Sequence, residues 1–167
     1  MQTNDTFRIS RTFNAPRSLL WKVYTEREHL MQWFGPKGFT MPKADLDFRK
    51  GGTFLYCLRT PDGQDMWGKW VFRDIVEPEK LEVITSFSDP QGGITRHPMS
   101  PDWPRETLGI TTFEETNGKT TVTVNWEVFN GTELERKVFA DNQPGMQMGW
   151  TGTFEQLEAY LAKVGAG

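Results

Sequence analysis

The sequence has one cysteine, Cys57, so no disulfide can form within the chain. Cys57 falls in an alternating apolar stretch, where an inert core thiol is expected rather than a nucleophile. Only two histidines occur, His29 and His97, and no Cys, His or carboxylate spacing matches a metal site. Neither a metal nor a cofactor is therefore expected. Long apolar runs are missing. The opening MQTNDTFRIS is not a secretory signal, and no segment approaches the ~20 apolar residues of a membrane span. The cytoplasm is the expected location. Basic clusters are missing too: net charge is −3, and Arg8 with Arg11 is too sparse a pair for a nucleic-acid footprint. The glycine pairs Gly51-Gly52 and Gly92-Gly93 fall in turns and fit no phosphate loop.

Aromatic residues, by contrast, are abundant. Seven Trp and twelve Phe in 167 residues favour a wide apolar interior, because rings cover much area per residue. Charged residues make up 25% of the chain, which with that apolar content describes one soluble globular domain, 1–167.

The organising stretch is the last. Met146, Trp150, Phe154, Leu157, Leu161 and Val164 recur at steps of three and four, one face of an α-helix. Glu155, Glu158 and Lys163 point the other way. Such a helix must lie on a surface, and what precedes it reads as strands.

Thr6 to Asn14 alternates with period two and predicts a strand. Ala15-Pro16 ends it, and Pro16 suits a first helical turn. Two short helices follow, Arg17 to Tyr24 and Arg27 to Trp33, the second broken by Gly35-Pro36. Strands are then expected over Phe39–Phe48, Thr53–Thr60, Asp65–Ile75, Leu81–Ser88, Arg105–Glu115 and Lys119–Phe129. Pro61-Asp62-Gly63 and Asn117-Gly118 mark hairpin turns. Thr132 to Glu135 is a capping box that starts a further helix, which Pro144 should break or kink. Between the strands lies one long aperiodic piece, Asp89 to Pro104, of a length typical of functional loops or surface insertions. The class is α+β, helices on an antiparallel sheet of about six to seven strands.

That order, with these residues, resembles the helix-grip fold of the START-like (SRPBCC, birch-allergen-like) superfamily. Within it the chain resembles homologues of the activator of heat-shock-protein-90 ATPase. Three groups of residues carry the likeness. They are Ala15-Pro16 with Leu20-Trp21 and His29 to Pro36; Gly51 to Phe54 with Pro61-Asp62-Gly63 and Ile75 to Leu81; and Gly149-Trp150 with Leu157 and Leu161. The resemblance implies a curved sheet wrapped on the long C-terminal helix, with a cavity between them for a small hydrophobic or amphipathic molecule. The expected lining is Trp33, Phe54, Tyr56, Trp70, Phe72, Phe87, Leu108, Trp126, Met146, Trp150 and Phe154. Alternatively the rings pack on one another and leave no void.

A second implied partner is a chaperone. A third option, an enzyme of the cyclase or hydrolase kind, needs at least one convergent polar group in the cavity, for which an inward acid is the best candidate. Strand parity puts Asp74 on the face of Trp70 and Phe72, which makes it the first to inspect, although at the end of its strand it is expected to meet solvent. His97 and Ser100 carry little weight as a base and nucleophile. Thr121, Thr123 and Asn125 give the sheet a polar outer face, which favours a monomer or weak homodimer. The Pro144-Gly145 end of the helix and the long loop are expected to gate the cavity.

Overall fold

Strand β1 (Thr6–Phe13) opens the chain and pairs along its whole length with β8 (Lys119–Val128). A computed structural model describes residues 6–35, 37–97 and 100–165. The opening MQTND, Pro36 of the expected helix break, and Pro98 of the long loop lie outside the described residues. Helices α1 (Arg17–Thr25) and α2 (Arg27–Trp33) follow β1, with Pro16 capping the first in extended conformation. Next come β2 (Thr40–Leu46), β3 (Thr53–Arg59), β4 (Asp65–Val76), β5 (Lys80–Ser88), β6 (Ile94–Thr95) and β7 (Thr107–Thr116). After β8 stand α3 (Glu133–Asp141) and α4 (Gln143–Gly165).

All strand pairs are antiparallel, in the order β1-β8-β7-β5-β4-β3-β2, with β6 added to β5. This is the α+β helix-grip architecture. The two-residue β6 was not expected, because Ile94–Thr95 is too short to show a period. At Asn117-Gly118 both residues take positive φ (54° and 77°), the geometry of a tight hairpin between β7 and β8. The α3 capping box forms as its sequence predicts. Glu135 N–H donates to Thr132 Oγ1 at 3.1 Å, and Thr132 N–H donates to Glu135 Oε1 at 2.9 Å. Pro144 sits in the first turn of α4, where its missing N–H costs nothing, and the chain bends at Asn142 instead.

The half of α4 after Trp150 seals the sheet. Leu157 and Phe154 are buried, Phe154 meets Phe13 edge-on at 5.6 Å, and Arg11 pairs with Glu158 at 3.2 Å. On the other side α1 and α2 cover β7 and the edge strands. Tyr24 packs on Phe113 at 5.2 Å, and Trp33 donates its indole N–H to Val23 O at 3.0 Å. The first half of α4 does not close in the same way.

Parity fails at one place that mattered for chemistry. A bulge lies between Phe72 and Asp74 of β4, since Phe72 pairs with Val83 and Asp74 with Glu82. The extra residue reverses the side chains beyond it. Asp74 therefore shares the outer face with Glu82, where Lys50 and Lys80 hold it at 3.4 and 3.3 Å. The Lys80 hydrogen bond foremost, with Lys50, keeps its carboxyl below the usual carboxylate range. Asp74 thus meets solvent, as its place towards the strand end led us to expect, and the bulge overturns the inward position that simple parity offered.

Candidate functional site

Between the first half of α4 and the concave face of the sheet lies a cavity of about 470 Å³. Three layers build its wall. The sheet supplies alternate residues, as a pleated strand must: Tyr56 on β3, Gly68 and Trp70 on β4, Leu81, Val83, Thr85 and Phe87 on β5, Thr107, Gly109 and Thr111 on β7, and Trp126 on β8. Helix α4 supplies Gly145, Met146, Gly149, Trp150 and Thr153, spaced along one face. The long loop supplies His97, Ser100, Trp103 and Pro104, and Tyr24 and Phe34 close the α1–α2 side.

Of the eleven residues expected to line a cavity, Tyr56, Trp70, Phe87, Trp126, Met146 and Trp150 share this wall. Trp33, Phe54, Phe72 and Phe154 do not; they form the packed core behind it. Phe54 stacks edge-on against Trp70 at 5.1 Å and Phe72 against Phe48 at 5.2 Å. These four lie where α1, α2 and the second half of α4 cover the sheet fully. Leu108 is corrected by parity alone: Thr107 and Gly109 face inward, so Leu108 between them faces outward.

Two wall glycines, Gly68 and Gly109, let rings lie across the strands. A Cβ on Gly68 would sit 2.5 Å from the Tyr56 hydroxyl, and one on Gly109 would sit 2.9 Å from Trp126 Nε1. A glycine inside a strand often marks such a close approach, and this was the signal available in the sequence. Gly68→Ala is expected to push Tyr56 out of position and destabilise the protein by about 1–3 kcal/mol, measured by chemical denaturation. Tyr24, Trp67 and Trp103 carry no comparable signal, since a helix places the first, a loop the last, and Trp67 has the opposite parity to Gly68 and Trp70 on β4.

Among the described residues no Lys, Arg, Asp or Glu lines the cavity. Its polar groups are neutral hydroxyls, amides and indoles, with His97. The Thr85 and Thr107 hydroxyls bond each other, and Thr153 turns its hydroxyl back to Gly149 O at 3.0 Å. Burial pushes the Tyr56 hydroxyl up to about 12, partly offset by a hydrogen bond from Trp70. Burial lowers the pKa of the His97 imidazole, which lies edge-on to Phe87 at 4.7 Å.

The loop is tied down beside the cavity by an ion pair. Arg96 donates to Glu135 Oε2 at 2.7 Å and to Pro101 O at 3.0 Å. Burial raises the Glu135 carboxyl, but the Thr132 amide and Arg96 outweigh it and the pKa falls below its ordinary value. A carboxyl depressed on folding stabilises above its unfolded pKa and loses that contribution as pH falls through the folded one. The thermal midpoint should therefore drop below about pH 4, and Glu135→Gln should be less stable at neutral pH with a flatter acid limb. A differential scanning series across that range measures both.

No helix among the described residues is long and apolar enough to cross a membrane. No curated protein matches the chain. Solved structures do. A protein of Nitrosomonas europaea covers 100% of both chains at 22% identity with a TM-score of 0.78. One of Mycobacterium smegmatis shares 25% identity over 96% of this chain and 93% of its own, with a TM-score of 0.76. The AHSA1 protein of Silicibacter pomeroyi shares 19% over 94% and 97%, with a TM-score of 0.73. These likenesses agree in fold, and the sequence profile of one family matches residues 14–162, from the end of β1 to the last turns of α4. The chain therefore belongs to the family described as activator of Hsp90 ATPase homolog 1-like proteins.

Proposed function

We propose that this protein binds a small hydrophobic or amphipathic molecule in the cavity between α4 and the sheet. The observation that carries this is the cavity's volume of about 470 Å³, within the range of small-molecule sites, walled by aromatic rings with a few neutral polar groups. Tyr56, Trp70, Phe87, Trp126, Met146 and Trp150 are the proposed contacts. The bound molecule exchanges where Gly145 and Asn142, both exposed wall residues, meet solvent beside the loop. The chain acts as a single domain in the cytoplasm, as a monomer or weak dimer.

Native mass spectrometry of the gently desalted protein tests this. A one-to-one adduct that organic solvent strips away is expected. A bare mass, together with no uptake of neutral naphthalene compounds added in excess, would contradict it.

The family description favours a second function, binding to a chaperone as an ATPase activator homologue. A chaperone pull-down with an ATPase assay separates the two. No capture and an unchanged rate would remove this alternative and leave the first standing. For enzymatic chemistry, His97 and Ser100 do meet in the wall, joined by a backbone bridge, but no carboxylate among the described residues lines the cavity.

A further inference from the structure

Tyr24 belongs to the cavity wall, and its hydroxyl is a buried oxygen that makes no hydrogen bond among the described residues. The residue is 2% exposed, and burial raises its pKa strongly, so the phenol stays protonated. A buried hydroxyl left without a partner is costly, and a native structure usually satisfies it with protein, water or ligand. Every other feature of Tyr24 fixes the ring. It is held by Trp33 at 4.8 Å and Phe113 at 5.2 Å, and it belongs to the cavity wall.

Its position marks one end of the cavity. Phe113 lies one inward step beyond Thr111, which faces Leu81. At the opposite end of β5, Phe87 meets His97, beside the loop. Leu81 to Phe87 spans six residues of strand, about 20 Å. The walls between are apolar, and no charged side chain among the described residues lines them apart from the titratable His97 at the far end. An ionised group at the Tyr24 end would be buried without a counter-charge, which is strongly unfavourable.

We propose that the Tyr24 hydroxyl anchors a hydrogen-bonding oxygen of an uncharged, elongated and largely apolar ligand, which enters with that oxygen leading. This rests on the cavity being a ligand site. The oxygen is a carbonyl, ether or alcohol that accepts the phenol proton. The more polar end of the ligand's path, with Ser100, Asn142 and His97, receives whatever second polar group it carries.

Three naphthalenes substituted at the same ring carbon test this with nearly equal size: the acetyl, isopropyl and carboxylate compounds. Binding is followed by calorimetry in the wild type and in Tyr24→Phe. Because the hydroxyl has no partner among the described residues, Tyr24→Phe should keep or raise the thermal midpoint. The expected result is that Tyr24→Phe weakens the ketone at least about tenfold, leaves the hydrocarbon within about twofold, and that the carboxylate binds worst to both. A ketone affinity unmoved by Tyr24→Phe overturns the anchor, as does an equal loss for ketone and hydrocarbon. A carboxylate as tight as the ketone in the wild type, which needs no variant to observe, overturns the requirement for an uncharged ligand. If the hydrocarbon fails to bind the wild type, the cavity is not a ligand site and the anchor falls with it; if it binds, only the anchor is on trial.

Discussion

Trp150→Ala is expected to lower stability by about 3–5 kcal/mol, among the largest effects a single truncation produces. The ring is 9% exposed and lies between Trp126 at 5.6 Å and Phe154 at 5.4 Å. It is the hinge between two regimes of α4. Beyond it the helix is sealed on the sheet through Phe154, Leu157 and Leu161. Before it the helix stands over the cavity. Removal would extend the cavity into the core and loosen both. For a domain of this size about 2–4 °C is lost per kcal/mol, so the thermal midpoint should fall by about ten degrees. An unchanged midpoint would mean that α4 does not pack on the sheet through this residue.

Gly149→Phe should do the opposite to the fold and far more to binding. Gly149 lines the cavity, and a Cβ there meets no atom within 4 Å. Glycine in a helix interior costs roughly 0.5–1 kcal/mol relative to alanine, so replacing it should not harm α4. A phenyl ring gains about 1.5–3 kcal/mol by leaving water for an apolar site. The ring should fill the upper cavity, leave the midpoint unchanged or higher, and weaken ligands at least about tenfold. Ligand affinity equal to that of the wild type, with the fold intact, would place the binding site elsewhere. Together the two substitutions separate a loss of fold from a loss of site.

The helix-grip frame was readable because strong local signals agreed with the tertiary outcome. The three-and-four spacing from Met146 to Val164, the Asn117-Gly118 turn and the Thr132–Glu135 box each fix local geometry almost alone. The cavity wall was readable only in part. Apolar periodicity identifies the inward face of a strand but not whether something covers it, so Phe54 and Phe72 looked the same as Tyr56 and Trp70. What separates them is the reach of α1, α2 and α4, which is a tertiary property. The inward parity of Asp74 misled for a different reason: parity depends on an unbroken register, and one extra residue in β4 reverses every side chain beyond it. Leu108 lies in an unbroken strand, where its neighbours Thr107 and Gly109 take the inward face. Tyr24 could not be singled out because an orphaned hydroxyl shows only once all its neighbours are in place.

The most direct measurement is a fluorescence titration of the wild-type protein with N-phenylnaphthylamine, an uncharged aromatic probe. Trp70, Trp126 and Trp150 stand in the wall, so occupancy of the cavity must change tryptophan emission. Saturable binding of one probe per chain, with tryptophan emission changing in step and both lost in Gly149→Phe, is the predicted result. Probe emission that rises without saturating, while tryptophan emission stays constant, would show that nothing enters the space between α4 and the sheet.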